Sequence, residues 1–184
     1  EREVSLRSGR RVAIALRDGS DGAEALLIRR AEHPLDPWSG HMAFPGGRFE
    51  PGDASLEATA RRETLEEVGL ALSPEDRIGR LDEQASASGG QGGILMAPFV
   101  YRIAQTPALA LSPEVAEAVW IPLARFARPG QLAPYRPDGG AAGPAYSSLR
   151  IGAYAIWGMT YRTIANLMSL LGARLPGELH EPAE

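Results

Sequence analysis

The stretch Arg62-Glu63-Thr64-Leu65-Glu66-Glu67-Val68-Gly69 decides how the rest of the chain is read. Glu63, Glu66 and Glu67 fall at i, i+3 and i+4, so on a helix they share one face. Leu56 and Ala60 continue that row upstream, and an apolar stripe therefore runs into a carboxylate cluster. Asp53 or Ser55 can cap such a helix, and Gly69 stands where a C-cap glycine belongs, which predicts a helix over 54–68. The three acids then lie in its last turn, where the helix dipole already presents negative charge. Each acid placed there costs roughly 0.3–1 kcal/mol, and their mutual repulsion adds to that. A solvated charged face is the plain alternative. One Arg62 cannot neutralise three carboxylates, however, whereas a divalent cation would, and oxygen-only ligands suit Mg2+ or Mn2+.

Upstream, Pro45-Gly46-Gly47 reads as a turn that brings bare backbone towards the helix. A glycine carbonyl there can ligate a hard metal; an ordinary turn is the alternative. Residues 11–17 and 25–29 read as two strands joined through the turn signal Asp18-Gly19-Ser20-Asp21-Gly22, a hairpin. Downstream, 77–83 reads as a short strand and 86–93 as a glycine-rich loop. Residues 94–103 read as a strand whose Pro98 predicts an edge or a bulge. Ser112-Pro113-Glu114 reads as a capped turn and 118–122 as a strand. Residues 129–144 read as a long Gly/Pro-rich loop of the kind that often carries function. Residues 153–171 read as a terminal helix with Ile156, Met159, Ile164, Met168 and Leu171 on its apolar face, and the tail after Gly172 as frayed. Strands on both sides of a central helix predict a mixed α/β or α+β domain.

At 184 residues the chain fits a single domain, 1–184, with length enough to bury roughly 70% of its unfolded surface. The hydrophobic fraction of 44% and charged fraction of 23% are ordinary for a globular protein. A formal charge of −4 argues against a broad nucleic-acid-binding surface but not against a small polyanion. The absence of cysteine removes a disulfide scaffold, a thiolate zinc site and a cysteine nucleophile. Every basic residue is arginine. No apolar run approaches the ~20 residues needed to span a membrane, and Glu1-Arg2-Glu3-Val4 opens no signal-peptide pattern. The expectation is a cytoplasmic protein without a membrane partner.

Together these residues resemble the Nudix box, Gly-x5-Glu-x7-Arg-Glu-U-x-Glu-Glu-x-Gly-U with U aliphatic, here about 47–70. Gly47 begins it and Arg62-Glu63-x-x-Glu66-Glu67-x-Gly69-Leu70 ends it. Fourteen residues separate Gly47 from Arg62, one more than the usual pattern; Asp53 fills the first acidic position and Thr64 an aliphatic one. The extra residue and the aspartate resemble the coenzyme A pyrophosphatase branch of the family. So do Leu26-Leu27-Ile28-Arg29-Arg30, Trp38-Ser39-Gly40-His41-Met42-Ala43-Phe44-Pro45-Gly46-Gly47 and Ile156-Trp157-Gly158-Met159-Thr160. The branch's strand threonine is Ile28 here, and its histidine is Trp38.

The resemblance implies a Nudix fold, a mixed β-sheet sandwiched between helices, and a pyrophosphohydrolase loaded with Mg2+ or Mn2+. Glu63 and Glu67 would be the core metal ligands, Glu66 a ligand or the general base, and the Gly47 carbonyl would complete the shell. Arg62 would orient the glutamates rather than touch substrate; a surface Arg62–Glu66 pair is the alternative, worth under about 1 kcal/mol. A later loop often supplies a further carboxylate in this fold, and Glu114 and Glu117 are the candidates, against two exposed glutamates on a turn. Asp53 is read as a cap rather than a ligand. Arg29, Arg30 and His33 are candidates for the substrate phosphates, and Trp38 for stacking on a base, with surface pairing and buried packing as their alternatives. Trp157 and Tyr161 read as core, and His41 as solvated or a base. The implied substrate is a small nucleotide, coenzyme A first, giving phosphopantetheine and adenosine 3′,5′-bisphosphate. ADP-ribose, dinucleotides and nucleoside triphosphates stay open. A homodimer is common in this fold, though no residue points to one. A non-catalytic nucleotide sensor would tend to lose the glutamates. An isomerase of the isopentenyl diphosphate type would need a cysteine.

Overall fold

The computed structural model describes residues 9–36, 38–86, 94–105, 108–137 and 145–175. The glycine-rich stretch from 87 to 93, residues 138–144 of the expected loop and the tail from 176 lie outside them. Among the described residues no helix is long and apolar enough to cross a membrane.

Two strands, β1 (Arg10–Gly19) and β2 (Gly22–Arg30), form the expected hairpin, paired antiparallel from Leu16↔Ala25 to Gly19↔Gly22. Beyond Leu16 they part. The gap is filled by a strip from later in the chain. Within it, β3 (Met42–Ala43) pairs with β2 at Ile28 and Arg29, and β4 (Gly46–Arg48) pairs with β1 from Arg10 to Val12. Ala13 N–H donates to the Pro45 carbonyl at 2.9 Å. Gly46 and Gly47 are therefore strand rather than turn, and only Pro45 before them is a bend. Gly46 has φ 151°, and a Cβ there would lie 2.1 Å from the Arg11 carbonyl oxygen. Only glycine fits between the two strands.

On the far edge of β1 runs β7 (Leu95–Arg102), parallel to it, with β5 (Arg77–Arg80) and β6 (Gln84–Ala85) antiparallel beyond. β7 is interior, which corrects the edge expectation from Pro98. The proline is accommodated because its partner strand breaks there: β5 reaches Phe99 and β6 begins at Met96. Leu81 N–H donates to the Pro98 carbonyl in between, and the proline, with no N–H of its own to give, sits at that break in the ladder. β8 (Val115–Pro122) closes the other edge along β2.

Alternate residues of the hairpin feed two cores. Ala13, Ala15, Leu26 and Ile28 face one side, and Val12, Ile14, Ala25 and Leu27 the other. The run Leu26-Leu27-Ile28 is buried throughout because both faces are covered. On the first side lies α1 (Leu56–Val68). Ala13, Ala15, Ala97 and the helix's own Ala60 are all buried and small, which lets helix and sheet approach closely. Ser55 is the N-cap, accepting from Ala58 N–H, and Gly69 is the left-handed C-cap.

The second side is covered by a short α2 (Leu123–Phe126), a second sheet and α3 (Gly158–Leu170). This sheet is β9 (Leu132–Tyr135), β10 (Tyr146–Ile151) and β11 (Tyr154–Trp157), all antiparallel. It corrects two expectations. The 129–144 stretch contains a strand, and the terminal helix begins at Gly158, its first residues belonging to β11. Ile156 is fully buried as expected, but from a strand. Leu175 is also buried, so the chain remains packed past Gly172. Helices on both faces of a mixed sheet give the expected α+β sandwich.

Candidate active site

The C-terminal turn of α1 meets the 110–114 segment. Ala110 N–H donates to Val68 O at 3.0 Å and Ser112 N–H to Glu67 O at 2.9 Å, so the loop satisfies carbonyls that the helix end leaves open. Ser112 and Pro113 thereby bring Glu114 beside Glu63, Glu66 and Glu67, and these residues line one open cleft of about 230 Å³. Of the two later glutamates, Glu114 reaches the site. Glu117 does not: it accepts from Arg29 at 3.3 Å and from the Tyr154 hydroxyl. Arg29 is thus a surface partner of β8 rather than a cleft residue.

Four carboxylates at a helix C-terminus need positive charge, and the structure shows where some of it comes from. Arg62 donates to Glu66 at 2.9 Å, Glu63 at 3.1 Å and the Arg48 carbonyl at 3.1 Å. Its Nε and Nη2 hold the two oxygens of Asp53 at 2.9 and 3.2 Å. Asp53 also accepts from Glu50 N–H and the Thr59 hydroxyl. The Arg62 hydrogen bond, more than any other contact, depresses the Asp53 pKa to about 2. Asp53 is therefore the anchor of Arg62, and the capping role belongs to Ser55.

Glu67 is buried, and its Oε2 accepts from Gly46 N–H at 2.8 Å. Burial pushes its pKa up to about 7 despite that bond and the fields of Arg10 and Arg30. Burial likewise raises Glu63. A Cβ on Gly47 would fall 2.1 Å from Glu63 Oε1, so the bare Gly47 backbone lies directly against that carboxylate. Arg10 is a site residue that sequence reading missed. Its guanidinium donates to the Gly46 carbonyl and sits in the fields of Glu67, Glu63, Arg30 and Arg48. A lone arginine at the start of a strand carries no signal of this kind.

Among the described residues, no three His, Asp or Glu side chains are gathered closely enough to hold a metal as they stand. Arg62 draws Glu63 and Glu66 towards itself, and Glu67 is engaged by Gly46. The donor chemistry nonetheless fits a hard divalent cation. Glu67 is a carboxylate held in a place that disfavours its charge, Glu63 abuts the Gly47 main chain, and every donor is oxygen.

Arg30 holds Asp36 through two hydrogen bonds of 2.6 and 3.0 Å, and its field reaches both Glu67 and His41. Asp36 in turn accepts from Trp38 N–H at 3.0 Å. Trp38 is 39% exposed rather than packed away. His33 stays at the surface, accepting from Leu35 N–H. His41 is half-buried, which lowers its pKa, and contacts Trp38, Tyr135 and Trp157. Tyr161 is core, as expected, but Trp157 is only half-buried among those rings.

A glycine strip of a mixed sheet thus lies against an acidic helix end. The NUDIX domain matches residues 7–139, and the chain belongs to that family. It is 45% identical over 109 residues to an uncharacterized protein of Schizosaccharomyces pombe, which covers 56% of this chain and 33% of that one. It is 47% identical over 64 residues to the uncharacterized Nudix hydrolase NudL of Yersinia pestis, covering 35% and 32%. The chain thus spans about a third of the length of these curated relatives. Among solved structures, a MutT/nudix family protein from Enterococcus faecalis superposes with a TM-score of 0.63 at 20% identity, over 90% of this chain and 62% of that one. The NUDIX domain of Shewanella oneidensis NrtR, complexed with ADP ribose, gives 0.51 at 23% identity, over 62% and 72%. These likenesses speak for the fold.

Proposed function

We propose that the chain, 1–184, works as one Nudix domain that hydrolyses the diphosphate bond of a nucleoside diphosphate derivative with Mg2+ or Mn2+. The observation that carries this reading is the single cleft shared by Glu63, Glu66, Glu67 and Glu114, with the Gly46-Gly47 backbone against two of them. Glu63, Glu67 and the Gly47 carbonyl would hold the cation, with Glu66 as a further ligand. When bound, the metal neutralises phosphate charge and lowers the pKa of a water. Glu66 or Glu114, both open to solvent at the rim, takes the proton of the attacking water. Arg62, fixed by Asp53, orients Glu63 and Glu66 from behind. Arg30 and Arg10 supply positive charge for the substrate phosphates beside the carboxylates.

Coenzyme A is the favoured substrate, supported by the Phe44-Pro45-Gly46-Gly47 approach and the Ile156-Trp157-Gly158-Met159-Thr160 segment. The Thr160 hydroxyl of the second segment donates to the Met42 carbonyl, two residues before Phe44, at 3.1 Å. ADP-ribose, dinucleotides and nucleoside triphosphates are the alternatives. The test is a panel of coenzyme A, ADP-ribose, NADH and nucleoside triphosphates with each metal, products resolved by mass, for wild type and Glu67→Gln. Metal-dependent cleavage of coenzyme A that the variant loses supports the whole reading. Cleavage of another member keeps the chemistry and removes coenzyme A. Tight nucleotide binding without turnover would leave a non-catalytic sensor, a reading in keeping with carboxylates already engaged by Arg62 and Gly46.

A further inference from the structure

Five aromatic rings from four separate elements meet at the other side of the Arg30 loop. Trp157, at the end of β11, is the hub. Its ring centroid lies 5.1 Å from His41, 5.1 Å from Tyr135, 5.3 Å from Tyr146 and 6.2 Å from Trp38. Trp38 and His41 come from the β2–β3 connection, Tyr135 from β9 and Tyr146 from the start of β10.

A cluster whose task was to fasten the second sheet would bury its rings. Here none of the five is buried: Tyr146 is 43% exposed and Trp38 39% exposed, and the other three are half-buried. The neighbouring core shows the contrast, for Ile156, one residue before Trp157, is fully buried. Exposed apolar surface that gathers in one place rather than scattering marks a binding surface. Rings of Trp and Tyr have few rotatable bonds, so they offer contact area at low entropic cost.

We infer that this aromatic cluster seats the planar base of the nucleotide, while the diphosphate lies at the glutamate cleft. The inference rests on the hydrolase reading for where the diphosphate goes, and the physical link between the two places is the Arg30 loop. Asp36 joins them: one oxygen holds the Arg30 guanidinium and the other takes the Trp38 N–H. Arg30 N–H donates to the His41 carbonyl at 3.1 Å. The residue whose guanidinium field reaches Glu67 is thus tied, through Asp36 and its own N–H, to the main chain that carries two of the rings. A ligand anchored by phosphate at Arg30 would, in this assignment, extend along this loop to the rings. Burial also favours the uncharged His41 imidazole, which offers a ring rather than a fixed cation. Base stacking on aromatic side chains tolerates different bases because every base has a π-face, so the cluster selects for the presence of a base more than for its identity.

The test separates binding from turnover. Intrinsic tryptophan fluorescence is titrated with AMP, with adenosine 3′,5′-bisphosphate, with ribose 5-phosphate and with 4′-phosphopantetheine, in EDTA so that nothing can be hydrolysed. The two adenine compounds are expected to quench and the two base-free compounds to bind at least tenfold more weakly. Trp38→Ala and Tyr146→Ala, at exposed positions where the fold is least at risk, are expected to weaken adenine binding about tenfold with unchanged thermal midpoints. Trp120→Phe, whose ring instead lies under Arg17, serves as the control and keeps wild-type affinity. Equal affinity in the two cluster variants, or phosphopantetheine binding as tightly as AMP, overturns the assignment. Because no metal or catalysis enters, a protein that hydrolyses nothing can still support it, and an active hydrolase can still refute it.

Discussion

The Arg62 guanidinium and the Asp53 carboxylate meet edge to edge, Nε to Oδ1 at 2.9 Å and Nη2 to Oδ2 at 3.2 Å. Bidentate pairs of this kind fix direction as well as distance. With that edge engaged, Nη1 turns to Glu66, and Nη2 is shared with Glu63 and the Arg48 carbonyl. The carboxylates on the cleft are oriented by a residue that is itself oriented from behind.

The acid limb of stability should report this pair. Asp53 has its pKa depressed from 3.8 to about 2, so its contribution is fully present above the unfolded value and is lost as pH falls through the folded one. Its side chain is only 5% exposed, so solvent screening takes little away. Between pH 4 and 2 the wild type should lose roughly 2 kcal/mol that Asp53→Asn does not lose. Urea midpoints at a series of pH values measure it; parallel acid limbs would reject the assignment.

Glu67 has the opposite sign. Burial raises its pKa from 4.5 to about 7, so its ionised form weighs against the metal-free fold. Stability of the metal-free protein should fall as pH rises through that window, by roughly 1–3 kcal/mol. Glu67→Gln should therefore be more stable than wild type at pH 8 without metal. It should also gain no thermal shift from Mg2+ and lose at least about a thousandfold in kcat, the scale of removing a central electrostatic group. Calorimetry with and without metal distinguishes this from simple misfolding.

The two strip glycines should fail differently. At Gly46 an added Cβ meets β1 backbone, which cannot yield, so Gly46→Ala should cost several kcal/mol, in the range of severe single substitutions. At Gly47 the clash is with the mobile end of Glu63, so Gly47→Ala should fold near normally while metal affinity drops. Denaturation midpoints and metal titrations on the pair decide it, and equal destabilisation of both would refute the placement of Glu63.

Glu114 and Glu117 lie on the same short stretch and should separate cleanly. Glu114→Gln, on the cleft, should lower kcat about tenfold or more. Glu117→Gln breaks only the Arg29 and Tyr154 contacts, half-exposed and worth under about 1 kcal/mol. It should leave kcat and KM as they are. Steady-state kinetics on both with whichever substrate the panel identifies is sufficient.

The acidic helix was legible because its signals are local: three glutamates at helical spacing, a serine before and a glycine after. Strands β1, β2 and β7 were legible as apolar runs. β9 to β11 were not. Pro134 and the surrounding glycines and prolines disguise β9, and Tyr154 to Trp157 runs into α3 with Ile156 and Met159 at a spacing a helix would also show. What divides them is Gly158, at φ 61°, and the pairing of β11 with β10, a non-local fact. The strip was misread as a turn for the same reason. Pro-Gly-Gly has turn composition, and nothing nearby announces that β1 and β2 part to receive it. Asp53 looked like a cap because its partner lies nine residues on.

The parting of β1 and β2 also bears on the order in which the chain can fold. A hairpin paired over its whole length is a local structure that forms early. Here the native pairing beyond Leu16 is completed only when Met42–Arg48 arrives, and β1's other edge waits for β7, some eighty residues along. Contacts of that separation slow folding. The glycine strip and the acids it touches are then expected to lock after the folding barrier is crossed. If so, Gly46→Ala will accelerate unfolding while leaving the folding rate nearly unchanged, a result stopped-flow kinetics can give. The glutamate cleft would be a late-closing part of the molecule, assembled only by a chain that has already found its fold.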